Sequence, residues 1–410
     1  MTSRETVSTA HQRAAEEIGQ AVAPTRRIGV AYPGDVLDPA TWSGSPSGVV
    51  RGLRELGFEP VAIRARPRPP LDALALNLAT LGQLRPRMFG SVRKAAWRAR
   101  QAAYVGPAFA LSLSWAARRS VAGAGRLDGV IQIGAGYDVP HARVATFEDI
   151  TIIQALRYPY PSWSNLSAGG RRRRIASQHA IYRRATACCL TTNWAAASVL
   201  HDYGIPPEKV HAVGVGRNHD PVVTERDWSR PRFLFIGKDW EGKNGAGLLR
   251  AFAQVRAVVP DARLELVGNH PRVDVPGVTG HGYLSLADPD DRRRVDDLLR
   301  AATCFVLPSH FEASAIAYVE AAAAGLPSIG SSAGGSADLI GAGGLVVDPS
   351  DTDAIAQAMI RLSRAEEAAR LGAIARARSE LFTWRAVAGR LVRSLRIPGV
   401  PDDGLADFLP

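Results

Sequence analysis

The chain has 410 residues, 46% of them apolar, with 50 Lys and Arg against 39 Asp and Glu for a net charge of +11. That length suits two domains, and that composition an ordinary globular protein. No apolar run reaches the ~20 residues a membrane helix needs, and three cysteines, two of them adjacent (Cys188, Cys189), make neither a disulfide framework nor a zinc spacing.

Residues 1–25 are polar and mixed in charge, which predicts a flexible tail. They lack the apolar core of a signal peptide, so the expected compartment is the cytoplasm. RRIGVAY, ending at Tyr32, reads as a buried strand. A loop of small residues containing Gly44 follows, then a helical pattern closed by Gly57 and a second strand, PVAIRA: a βαβ opening. Residues 66–125 hold short helical patterns dense in Arg. Strand and helix then alternate to VHAVGVG. Residues 217–231 are polar, carry proline and read as a linker.

A second series begins at RFLFIGKD and alternates through GAGLLRAFAQVRAVVP, ARLELVGN, an irregular stretch to Leu284 and DRRRVDDLLRAA. It continues through the strand Thr303–Leu307 and later strands PSIGS and GLVVDP. The expected fold class is α/β: two Rossmann-like domains, 26–216 and 232–385, each with a doubly wound parallel sheet.

HFEASAIAYVEAAAAGLPSIGSSAGG, residues 310–335, carries the most chemistry. Glu312 and Glu320 stand eight apart at the start of an apolar helix pattern, just after a buried strand. If helical throughout, they are about 12 Å apart along the axis and about 80° around it. That spacing is too wide to share a proton and wide enough to hold hydroxyls at the two ends of a diphosphate. The amides of Ser314, Ala315 and Ile316 would then face phosphate at a helix N-terminus.

The loop GKDWEGKNG, residues 237–245, follows a strand and precedes a helix; its glycines admit an anion to the backbone, and Lys238 and Lys243 supply charge. It matches neither G-x-G-x-x-G nor a P-loop, since Asn244 follows Lys243. Gly44 allows close approach of a ligand, and Glu148 and Asp149 end a strand where open α/β sheets bind ligands. The acidic DPDD at 288–291 reads as a helix cap, RRRR at 171–174 as a solvated helix start, and His141 and His310 as structural.

As a set, FLFIGKDWEGKNGAGLLRAF, ARLELVGN, FVLPSHFEASAIAYVEAAAAGLPSIGSSAGG, WSGSPSGVVRGLRELG and the final FTWRAVAGRLVRSL resemble glycosyltransferase family 4, of the GT-B fold. The resemblance covers roughly residues 26–395. It implies two domains facing across a cleft, an acceptor domain first and a nucleotide-sugar domain second, with a C-terminal helix, 386–400, crossing back to the first. It implies a retaining, metal-independent bacterial glycosyltransferase that takes a UDP-, GDP- or dTDP-sugar and needs no cofactor. Lys238 and Lys243 would hold the diphosphate, Glu312 the sugar and Glu320 the ribose. Gly44 would admit the donor to the first-domain loop, and Gly237, Gly268, Tyr283 and Leu284 would line the donor site with Ser314, Ala315 and Ile316. Glu312, Lys243 and Asp149 form the expected catalytic set. Ser314 and Ala315 depart from the family's aromatic and glycine, and FEDIT stands where many members carry a histidine, which leaves Asp149 as the acceptor-side base.

Two other functions fit the same pattern: a sugar-nucleotide epimerase, and a basic binding protein without catalysis. The acceptor is expected to be a small molecule, a glycan or a lipid-linked compound. Aromatics do not alternate with basic residues in an RNA-reading pattern, so no nucleic-acid partner is expected. The arginines of residues 64–119 would either rest on an anionic membrane at its inner face or wall an acceptor pocket.

Overall fold

A computed structural model describes residues 26–83, 92–158, 160–220 and 225–398. The tail 1–25, residues 221–224 of the expected linker and the last two residues of the 386–400 helix lie outside the described residues.

Among the described residues, twelve strands form two six-stranded sheets. The first contains β1 (Arg27–Tyr32), β2 (Glu59–Arg64), β3 (Gly129–Ile133), β4 (Val144–Glu148), β5 (Ala187–Leu190) and β6 (Val210–Ala212) in the order β2-β1-β3-β4-β5-β6. The second contains β7 (Arg232–Ile236), β8 (Arg263–Val267), β9 (Val278–Gly280), β10 (Cys304–Leu307), β11 (Ser328–Ser331) and β12 (Gly344–Val347) in the order β12-β11-β10-β7-β8-β9. Every strand pairing is parallel. GVIQI, VATFE and CFVL are buried at every position, as central strands covered on both faces must be. The short β9 lies in the stretch expected to be irregular; Val278 is its one large apolar residue, and Gly277 and Gly280 flank it.

The longer helices close these crossovers. In the first half they are α1 (Ser45–Glu55), α2 (Leu71–Leu81), α3 (Val92–Tyr104), α4 (Pro107–Gly123), α5 (Ala168–Arg184) and α6 (Asn193–His201). In the second they are α7 (Gly245–Val258), α8 (Pro289–Ala301), α9 (Ile316–Ala323), α10 (Thr352–Leu362) and α11 (Ala365–Arg378). Asp288 of DPDD caps α8, accepting from the Asp290 and Asp291 amides, so the acidic run is structural. The solvated reading of RRRR is corrected at its last residue. Arg174 is buried on α5 and donates to the Gly136 carbonyl at 2.8 Å, while Arg172 and Arg173 stay exposed. All three cysteines are buried thiols.

The last helix, α12 (Trp384–Ser394), packs on α1 and reaches β4 and β5. Two glycines make room for it. A Cβ at Gly48 would stand 2.1 Å from the Trp384 ring, and one at Gly52 would stand 2.1 Å from the Trp384 carbonyl oxygen. Trp384, Val387, Leu391 and Leu395 join the cores of both sheets into one apolar cluster.

In the second sheet the chain starts at β7, moves outward to β9, then returns to the other side of β7 with β10. The switch point therefore lies between β7 and β10, and ligands of open α/β sheets bind in the crevice past such strand ends. The loops leaving those two strands are 237–244 and 308–315, the two segments the sequence singles out.

Candidate active site

The two switch-point loops are tied together by their backbones. The His310 amide donates to the Gly242 carbonyl at 3.0 Å. Asn244, in the left-handed region at φ 59°, turns the first loop into α7 and anchors it through its side chain to the Pro349 carbonyl at 2.7 Å. This closure sets the Lys243 ammonium on the Glu312 carboxylate, to which it donates. The Ser309 hydroxyl stands 3.5 Å from the same carboxylate oxygen.

Glu312 is not helical, which corrects the continuous-helix reading. Its amide donates to the Ala333 carbonyl at 3.0 Å and its carbonyl accepts from the Gly335 amide at 2.8 Å, a bridge between the loops after β10 and β11. Gly334, at φ 112°, lies so close that a Cβ there would meet the Glu312 carbonyl oxygen at 2.0 Å. The helix begins only at Ile316, after Ala315. Apolar periodicity continues through Ala313 and Ala315, but the backbone partners of Glu312 lie on another strand's exit loop, which local sequence does not encode. Ser314 and Ala315 therefore form the run-in to α9, and the amide of Ile316 is one of the first-turn donors that a helix leaves free. Tyr318 fixes the helix over the strand, its hydroxyl donating to the Leu307 carbonyl at 2.7 Å.

Glu320, on α9, meets different partners. The Asn218 amide donates to it at 3.4 Å, and His219 Nε2 stands 3.3 Å away. Burial raises its pKa to about 7, against that amide bond. Asn218 also donates to the Ser43 carbonyl at 2.9 Å and accepts from the Trp384 indole at 3.1 Å. A Cβ at Gly44 would sit 2.9 Å from its side-chain oxygen. One linker side chain thus joins the first-domain loop, the last helix and, through its backbone, the second domain. In this structure Gly44 adjoins Asn218, the neighbour its small size accommodates.

The other residues expected on the donor side gather at the ends of β7, β8 and β9. Gly237 donates to the Val267 carbonyl at 2.9 Å. At Gly268, φ 127°, a Cβ would strike the Gly237 carbonyl oxygen at 1.8 Å, so this contact requires glycine. Lys238 is exposed and lies 5.3 Å from the centre of the Tyr283 ring, while Leu284 is buried. The two lysines therefore stand apart in role: one pairs with Glu312 and the other caps an aromatic ring.

Asp149, at the end of β4, faces this cluster from the first domain. Burial raises its carboxyl to about 6, against hydrogen bonds from its own amide and the Trp42 side chain, and the Glu312 charge adds to the rise. Asp149 and Glu312 also both act on Tyr160, whose hydroxyl burial, then those charges, push to about 12. Glu148, its neighbour, is structural: buried, it accepts from the Tyr182 hydroxyl at 2.6 Å and the Ala135 amide and Gln178 side chain at 3.2 Å.

Around the expected Gly44, sequence reasoning missed Trp42 and the left-handed backbone of the loop, and in the second domain it missed Phe311. Trp42, Ser43 and Gly44 all have positive φ, at 43°, 52° and 81°. A non-glycine residue held so costs about 1–2 kcal/mol, a strain that marks constrained sites. Phe311, next to Glu312, stacks on Tyr158 with ring centroids 3.4 Å apart and lies within 6.0 Å of Tyr160 and Trp194, crossing from the second domain to the first. The Trp194 amide donates to Asp338 at 2.8 Å, another inter-domain contact. The usable signal was proximity to motifs: WSG carries Trp42, and HFE carries Phe311. Among the described residues no group of three His, Cys, Asp or Glu side chains is placed to hold a metal, and no helix is long and apolar enough to cross a membrane.

Residues 230–365 match the family described as "Glycosyl transferases group 1". The "MMP alpha-(1->4)-mannosyltransferase" of Mycolicibacterium hassiacum is 28% identical over 233 residues, covering 53% of this chain and 56% of that protein. The "D-inositol 3-phosphate glycosyltransferase" of Streptomyces scabiei is 29% identical over 246 residues, covering 52% and 54%. The chain spans about half the length of these curated relatives. Among solved structures, sucrose-phosphate synthase from Thermosynechococcus elongatus superposes with a TM-score of 0.60 at 18% identity, covering 90% of this chain and 99% of that one.

Proposed function

We infer that this chain, whose residues 230–365 match the group 1 glycosyl transferases and whose two sheets are arranged as in a GT-B fold, transfers a sugar from a nucleotide-sugar donor to an acceptor hydroxyl with retention at the anomeric carbon. The observation that carries this reading is the Lys243–Glu312 pair at the β7/β10 switch point with Asp149 facing it from the other domain. Its resemblance to relatives named as glycosyl and mannosyl transferases supports the same chemistry.

In this reading Lys243, Lys238 and the free amides of α9 receive the diphosphate. Glu312, held at the backbone by two hydrogen bonds, orients the sugar hydroxyls. Glu320 receives the ribose when Asn218 and His219 yield it. The bond from anomeric carbon to phosphate oxygen breaks as the acceptor oxygen bonds to the same face. The electron pair leaves with the nucleoside diphosphate, where Lys243 balances the developing charge. The acceptor proton passes to the leaving phosphate or to Asp149. A separation suited to a glutamate nucleophile is not needed for this step, and neither is a metal or cofactor.

Calorimetry with UDP, GDP and dTDP tests the reading: one diphosphate binds, and Glu312→Ala abolishes turnover of its sugar. Failure of all three to bind refutes it. Incubating donor without acceptor separates transfer from epimerisation, since an epimerase alone changes the sugar while leaving it on the nucleotide.

A further inference from the structure

We propose that the outer face of α2, α3 and α4 is a docking surface for an anionic lipid membrane. These helices pack on one another and on one face of the first sheet. Leu76, Ala79, Ala103, Phe109 and Leu113 point inward and share a core with Ala31, Ile63 and Val130.

Helix α2 has a second apolar stripe. Leu71, Leu74, Leu78 and Leu81 are between 51% and 63% exposed. Their spacing puts them within an arc of about 80° and along about 15 Å of helix. Trp97 on α3 and Leu111 and Trp115 on α4 are also exposed, Leu111 by 72%. Scattered exposed apolar residues are ordinary, but a helical row of four leucines with two tryptophans on adjoining helices is the composition of an interaction surface.

Charge identifies the partner. From Arg64 to Arg119 the sequence holds ten arginines and one lysine against a single acid, Asp72. Asp72 is already paired with Arg66 at 2.8 Å. Arg93, Lys94 and Arg98 are exposed, and among the described residues none of them has an acidic partner. Arg119 lies 5.2 Å from the Trp115 ring and Arg100 lies 5.8 Å from the Tyr104 ring, so cation and amphipathic ring present together. A second copy of the chain would bring this basic rim against itself. Nucleic acid would engage the arginines and leave the leucines uncovered. An anionic bilayer supplies phosphate for the cations and an acyl boundary for the leucines.

The proposal does not depend on glycosyl transfer, and its test needs neither donor nor acceptor. Full-length protein is floated with vesicles of phosphatidylcholine alone and of phosphatidylcholine mixed with phosphatidylglycerol. It is expected to float only with the mixed vesicles, at least about tenfold more at low salt than at high salt. Leu74→Glu with Leu78→Glu is expected to stay in the soluble fraction with an unchanged melting temperature. Should that variant fail to fold, the exposed pair Lys94→Glu and Arg98→Glu replaces it. The proposal is overturned if the wild type ignores anionic vesicles, if it binds neutral ones equally, or if neither folded variant loses binding. It is also overturned if light scattering finds a dimer that the leucine variant dissolves while vesicles capture nothing.

Discussion

Lys243 donates to the carboxylate of Glu312 across two loops that leave neighbouring strands, β7 and β10. Both groups are largely withdrawn from water. Breaking such a pair leaves one charge without its partner, and the expected loss is about 3 kcal/mol, within the range for buried pairs. Lys243→Ala should lower the unfolding free energy by that amount and weaken diphosphate binding. Glu312→Gln keeps the shape and should cost less stability, while lowering turnover about a hundredfold or more. Denaturant unfolding and steady-state kinetics on both variants and their double mutant check this. Stabilities that simply add would show the two residues to be uncoupled.

The glycines at the strand ends should divide sharply by surroundings. Gly334→Ala places a methyl 2.0 Å from the Glu312 carbonyl oxygen, and Gly268→Ala places one 1.8 Å from that of Gly237. Neither backbone neighbour can give way without moving the site, so each is expected to cost more than about 3 kcal/mol. Gly57→Ala is the control. It also has positive φ, 81°, but open space around it, and should cost only about 1 kcal/mol of backbone strain. Melting temperatures of the three variants give the comparison. A Gly57 variant as unstable as the other two would remove the steric argument.

Most of the fold was legible because the central strands are short, largely apolar runs between small-residue loops, and the longer helices have their own period. GKDWEGKNG and HFEASAIAYVE could be found for the same reason: both sit at strand exits. The continuous helix through Glu312 misled because apolar spacing at Ala313 and Ile316 mimics a helix, while the bridge to Gly334 involves a residue 22 positions away. The left-handed Trp42 and Ser43 carried no composition signal, since neither residue type favours that conformation. The role of Asn218 likewise depends on three segments, Ser43, Trp384 and Glu320, that meet only in the folded chain.

Trp384 should be the largest single contributor in the last helix. Its ring fills the space left by Gly48 and Gly216, and its indole holds Asn218 at 3.1 Å. Trp384→Ala is expected to cost about 3–5 kcal/mol through the cavity it leaves. Because Asn218 also contacts Ser43 and Glu320, the variant should raise the donor's KM as well. Trp384→Phe restores most of the volume but not the N–H, and should recover stability while leaving part of the KM defect. Equal recovery of both would assign Trp384 to packing alone.

Asp149 should set the acidic limb of activity. Its carboxyl, raised to about 6, is mostly ionised at neutral pH. As a base it works only when deprotonated, so turnover should climb as pH rises through about 6 and then level. Asp149→Asn should lose most of the rate and flatten that limb. A pH profile of the wild type with no inflection near 6 would remove Asp149 from the proton transfer.

Glu320 provides a separate test, through stability. Burial lifts its pKa from the ordinary 4.5 to about 7, and the neighbouring Asp296 charge adds to this while the Asn218 amide opposes it. His219 beside it is shifted downward, by burial first and then by the Arg292 charge, so it stays neutral and does not offset the carboxylate at neutral pH. The folded chain therefore holds the Glu320 proton more tightly than the unfolded chain does. Between about 4.5 and 7 the folded state binds more protons, so stability falls as pH rises through that window, and above it the full cost of the buried charge remains. Below the window both states are protonated and the cost is absent. Glu320→Gln should thus match the wild type near pH 4 and melt at a higher temperature at pH 8, while donor affinity falls if Glu320 holds the ribose as proposed. Thermal unfolding across that range decides the sign. A variant less stable than the wild type at pH 8 would mean that the Asn218 and His219 contacts outweigh desolvation of the carboxylate.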